Sequence, residues 1–168
     1  MGRRRRFGAV AAACVMLSLG LTGCTVEDGG ALGLTVDAAG KPVIVVQMCK
    51  GYLDGATLYE DVENPGDDDH NGRWTVEPRV TGFSQFSLAD GGNGWKLEGS
   101  LKPLAAQVKY VIYGWTEDNR WMALHLPVTL DEIARLRPGQ IRYSNFDEAD
   151  TYATGSVEEF KTGICKHY

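Results

Sequence analysis

Asp67, Asp69 and Asn71, followed by Gly72, are the residues whose types and spacing best suit a cation. Within "PGDDDHNGRW" (65–74) they fill positions 1, 3, 5 and 6 of a twelve-residue calcium loop, where alternate oxygens converge and a glycine makes the sharp turn. The pattern then fails. Position 12 should be a bidentate glutamate but is Pro78, Glu77 stands one residue early, and Trp74 occupies position 8. Six acidic residues fall between positions 60 and 69, and they repel one another unless hydrated or bridged. The expectation is a solvated acidic loop between paired strands, with Ca²⁺ as the weaker alternative and Asp67, Asp69 and Asn71 as its weak candidate ligands.

Other chemistry is sparse. His70, His125 and His167 are scattered, and no nucleophile elbow, HExxH pattern or phosphate-binding glycine loop accompanies them. No catalytic residue is assigned. Trp74, Trp95, Trp115 and Trp121, with Tyr110 and Tyr113, fall in strand-like stretches. Such rings are expected mostly in the core, with a stacking surface for glycans as the alternative if Tyr113 and Trp115 are exposed together.

The elements that must position these residues read as strands. "LGLTV" (32–36) and "VIVVQMC" (43–49) flank a Gly-containing turn, and the second is apolar on both faces, as a central strand requires. "GATLYED" (55–61) and "RWTVE" (73–77) are expected to pair across the acidic loop. "GFSQFSL" (82–88) and "GWKLEG" (94–99) are separated by the turn signal "ADGGN". "QVKYVIYGW" (107–115) and "WMALHL" (121–126) form the clearest hairpin. Thr129 with Glu132, and Ser156 with Glu159, make two capping boxes and predict two short helices. Seven or so strands at this spacing predict a mainly β fold, an immunoglobulin-like or related β-sandwich with one or two short helices.

The N-terminus is of another kind. Arg3 to Arg6 precede an apolar run, Phe7 to Leu21, that is short of the roughly 20 residues a membrane-spanning helix needs. At Leu21-Thr22-Gly23-Cys24 the sequence resembles the lipobox of bacterial lipoproteins. The resemblance implies diacylglycerol transfer to the Cys24 thiol (a palmitate-type acylation), cleavage after Gly23 and N-acylation of the new terminus. Residues 1–23 are then a signal peptide, 24–31 the lipidated cysteine and a short tether, and 32–168 a single β-rich extracytoplasmic domain. Arg4, Arg5 and Phe7 also match part of a twin-arginine signal, but Arg3 and Gly8 depart from it, so the general secretory route is expected. "DAAGKPVIVVQMCKG" and "TLDEIARLRPGQIRY" resemble small lipoproteins of high-GC actinobacteria. That likeness implies a surface location and a β-rich fold and supplies no catalytic residue.

Processing at Cys24 changes the charge and the cysteine count. The mature chain keeps 13 basic against 22 acidic residues, a formal charge of −9, which excludes nucleic acid and anionic headgroups as expected partners. With Cys14 discarded and Cys24 acylated, Cys49 and Cys165 remain and are expected to form a disulfide in an oxidising compartment. The function expected is that of a lipid-anchored cell-envelope protein, a binding or structural module rather than an enzyme. Its partners would be the membrane, through Cys24, and an envelope protein or glycan. An enzyme with a site built from scattered residues, or a Ca²⁺-binding surface domain, are the alternatives.

Overall fold

A computed structural model describes residues 25–62, 70–144 and 152–168. Ten strands follow in order: β1 (Glu27–Val36), β2 (Pro42–Met48), β3 (Leu53–Glu60), β4 (His70–Val80), β5 (Phe83–Ser87), β6 (Trp95–Leu97), β7 (Tyr110–Trp115), β8 (Trp121–Val128), β9 (Gln140–Ser144) and β10 (Tyr152–Ser156). Helix α1 (Leu130–Arg135) precedes β9, and α2 (Val157–Gly163), continued by a 3-10 turn at Ile164–His167, follows β10. The chain is mainly β with two short helices, as its sequence indicates. Both capping boxes are formed: Thr129 and Ser156 accept from the backbone N–H of Glu132 and Glu159, whose carboxylates accept in return.

All ten strands belong to one sheet. It runs β5-β2-β1-β8-β7-β3-β4-β6, and β9 with β10 branches from β1. The branch arises because β1 divides one edge between two partners. Glu27 to Ala31 pair in parallel with β8, while Gly33 and Leu34 pair antiparallel with β9. The sheet curls until β5 and β6 meet side by side. There Phe86 and Trp95 stack with ring centroids 4.3 Å apart, and Trp95 Nε1 donates to Ser84 Oγ at 2.8 Å. The two layers around the core are thus parts of one nearly closed barrel, which leaves little unpaired edge.

Strand alternation fills the inside. Leu32, Leu34 and Val36 of β1 and Ile44, Val46 and Met48 of β2 point into the main core with Trp74, Phe86, Tyr110 and Ile112. The other face of the same two strands is apolar as well, because α2 covers it. Ala31 and Val45 pack there against Ile141, Phe160 and Ile164. A disulfide joins Cys49 at the end of β2 to Cys165 in the 3-10 turn, with Cα atoms 5.2 Å apart. The Tyr168 hydroxyl adds a hydrogen bond to the Gly30 carbonyl at 2.6 Å.

The larger differences from expectation are three. The stretch expected as a tether, 24–31, is strand from Glu27 onward. Gly29 and Gly30 read as linker residues but answer to close packing. A Cβ on Gly30 would lie 2.2 Å from the Gln47 carbonyl, and one on Gly29 would lie 2.5 Å from that of Lys50. β9 and β10 were not foreseen, since their alternation is short and half-buried. β4 begins at His70 rather than Arg73.

The register sorts the connections into two ends. At one end β1 begins, β2 stops at Met48, β3 begins, β4 stops, β6 begins and the β7–β8 turn (116–120) closes. Glu27 N–H donates to the Arg120 carbonyl at 3.1 Å, which fixes the start of β1 beside that turn. The turn at 37–41, the end of β3 at Glu60 and the start of β4 at His70 lie at the opposite end.

Candidate functional site

The structure places Asn71 in a strand rather than in a loop. It is buried within β4, 6 % exposed, and its carbonyl accepts from Lys102 N–H. Gly72 pairs with Leu58 as an ordinary strand residue, and its missing side chain makes room for the Trp74 ring, 2.5 Å from where a Cβ would stand. Asn71 itself is the extra residue of a bulge, since Leu58 pairs with Gly72 and the next residue, Tyr59, pairs with His70. Asp67, Asp69 and Cys24 lie outside the described residues. Among the described residues no three His, Cys, Asp or Glu side chains are grouped to hold a metal, and no helix is long and apolar enough to cross a membrane.

The aromatic residues divide between the two faces of the sheet. Trp74, Trp95 and Tyr110 are core. Tyr113 and Trp115 project outward from β7 and are half-buried. Trp115 lies across Gly55, is capped by the Arg73 guanidinium at 4.0 Å, and donates from Nε1 to Thr57 Oγ1 at 2.9 Å. Tyr113 stands between Tyr59 and His125, edge-on to both at 5.7 and 5.5 Å. Two residues of β8, Leu124 and His125, face the single residue Tyr113, and this bulge turns His125 to the surface. Partial desolvation holds the His125 pKa below its ordinary value, against the pull of the Asp28 carboxylate. These rings are engaged with one another and with Arg73, so they stabilise the sheet's outer face and leave no open stacking platform on Trp115.

A polar groove of about 590 Å³ opens at the barrel end where β1 begins. Asp54, Thr75, Glu77, Arg79, Lys96 and Glu117 line it, drawn from β3, β4, β6 and the β7–β8 turn. Asp54 is its fixed point. Its carboxylate accepts from the Glu117 backbone N–H at 3.0 Å and pairs with Arg79 at 3.2 Å. The Arg79 guanidinium also lies 4.0 Å over the Tyr52 ring. Tyr52 is held in turn, since its hydroxyl donates to Asp118 at 2.7 Å; that bond raises the phenol's pKa and lowers the carboxyl's.

Arg79 is therefore oriented on two sides yet stays open to solvent. Its side chain is 53 % exposed against 12 % for Asp54. Lys96, Glu77 and Glu117 are exposed around it, and among the described residues none has an ion-pair partner. Such a rim offers donors to an anionic group and carboxylates to a cationic one, with one guanidinium already positioned. Sequence reasoning did not single out Asp54, Arg79, Lys96 or Glu117. Asp54 and Glu117 are 63 residues apart in the chain, and only the β3–β7 ladder brings them together. Comparison with protein-family models, with curated proteins and with solved structures yields no match to this chain.

Proposed function

We propose that this protein is a lipid-anchored, extracytoplasmic binding module of the cell envelope, held to the membrane by acyl chains on Cys24, and that the groove at the barrel end is its binding surface. The lipobox at 21–24, behind its basic and apolar regions, supports the anchor. Two or three acyl chains hold a protein durably where one does so only marginally.

One observation carries the binding role: an exposed guanidinium, Arg79, held by Asp54 on one side and Tyr52 on the other. Ordering a long side chain before the ligand arrives lowers the entropic cost of association. The same geometry favours binding over catalysis, because Asp54 is committed to Arg79 and to the Glu117 N–H and so orients rather than abstracts a proton. A photo-crosslinking residue at Lys96, introduced in intact cells, should give a discrete adduct that the same residue at the remote turn position Ala39 does not. Identical patterns from the two positions would remove the groove from consideration.

A further inference from the structure

The groove and the anchor lie at the same end of the barrel. β1 starts at Glu27, bonded to the Arg120 carbonyl in the turn that also supplies Glu117 to the groove. Cys24 precedes Glu27 by three residues, so at most about 11 Å of chain separates a lipidated Cys24 from the start of β1. The turn at 37–41 is carried about 30 Å away along β1. Val26, 40 % exposed, stands at the anchored end. An anchor so short leaves the groove end little freedom to leave the bilayer surface.

We infer that the groove faces the bilayer and takes a phospholipid headgroup that carries both a phosphate and an ammonium. This rests on the anchoring proposed above. Charge selects the headgroup. The lining holds Asp54, Glu77 and Glu117 against Arg79 and Lys96, so the site is close to neutral within a strongly acidic domain. An anionic headgroup would meet three carboxylates with only two cations to offset them. A zwitterionic one sets its phosphate against the open edge of Arg79 and against Lys96, and its ammonium against Glu77 and Glu117. The volume of about 590 Å³ accommodates such a group.

The test uses the mature, acylated protein in vesicles carrying a headgroup-attached quencher, with a fluorescent amino acid at Arg120 or at Ala39. In phosphatidylethanolamine-containing vesicles the probe at 120 should be quenched several-fold more than the probe at 39. Lys96→Glu should bring the ratio back toward one, as should vesicles of phosphatidylglycerol alone. Equal quenching at the two positions in acylated protein overturns the inference and leaves the anchor standing. A ratio indifferent to headgroup and to Lys96 also overturns it, since the anchor alone then sets the orientation. Mass analysis showing no acyl group on Cys24 removes the anchoring proposal and the inference with it.

Discussion

Trp95 stacks on Phe86 across a seam that no strand ladder closes, and its indole N–H reaches across to Ser84. Among the described residues β5 forms a ladder with β2 alone and β6 with β4 alone, so this ring pair closes the seam together with isolated bridges at Ser87–Gly91 and Gly92–Trp95 and the bond from Asn93 Nδ2 to the Gln85 carbonyl. Trp95→Ala should cost about 3–5 kcal/mol in urea unfolding, the usual penalty for emptying a buried tryptophan site. Trp95→Phe keeps the stack but loses the bond to Ser84, and should cost about 1 kcal/mol from that loss. Near-equal stability of wild type and Trp95→Ala would show that the seam is held by something else.

Gly30 tests whether β1 begins at glycines whose composition reads as a linker. A methyl group there would meet the Gln47 carbonyl at 2.2 Å and Met48 Cα at 2.8 Å, both backbone atoms that cannot step aside. Gly30→Ala should therefore destabilise the domain by about 2–3 kcal/mol. Gly82 has an ordinary φ and nothing within 4 Å of a Cβ, so Gly82→Ala should stay within about 0.5 kcal/mol of wild type. Chemical denaturation of the two variants side by side is decisive, because a tether would tolerate both.

What the sequence made legible follows from how local each signal is. The β1–β2 and β7–β8 hairpins and both capped helices were readable because their partners lie within a few residues. The Cys49–Cys165 bond was readable despite its 116-residue span, since the lipobox reading sets Cys14 and Cys24 aside and leaves one pairing of the four cysteines. Gly29 and Gly30 misled because composition cannot distinguish a flexible glycine from one pressed against a neighbouring strand. The groove was invisible for a related reason. Its charges occupy ordinary surface positions in four separate elements, and only the pairing of β7, β3, β4 and β6 as neighbours gathers them.

Glu159 gives α2 a measurable pH dependence. Its carboxylate accepts from the Ser156 N–H and Oγ, both at 2.8 Å, and these bonds hold its pKa below the ordinary 4.5. A lowered folded-state pKa means stability that is complete above the unfolded value and lost as pH falls through the folded one. The difference in urea midpoint between wild type and Glu159→Gln should be constant near neutrality and shrink below about pH 4.5. A difference that stays flat down to pH 3 would show that the charge of Glu159 does not matter to the cap.

The disulfide should stabilise through the loop it closes. Joining residues 116 apart removes denatured-state entropy corresponding to about 4–5 kcal/mol on the chain-entropy model. Cys49→Ser/Cys165→Ser should lose most of that stability. Hydrogen exchange should speed first at 157–168, where Phe160 and Ile164 hold α2 to the outer face of β1 and β2. Exchange that rose evenly throughout the barrel would mean that the bond supports the whole sheet rather than latching the C-terminus.

Cys24→Ala addresses the anchor itself. On the proposed processing at Cys24 the mature chain would carry a formal charge of −9, so electrostatics would give it no affinity for an anionic bilayer and acyl chains would have to supply the attachment. With the thiol removed, neither diacylglycerol transfer nor the cleavage that depends on it can follow. The variant should leave the detergent-soluble membrane pool, or remain there only with residues 1–23 still attached. Fractionation alone cannot separate those outcomes, so the mass of the membrane-bound species is the second measurement. A Cys24→Ala protein recovered from membranes at its mature mass, in wild-type amount, would show that something other than the lipid holds it there. The groove end, three residues away, would then be the first surface to mutate.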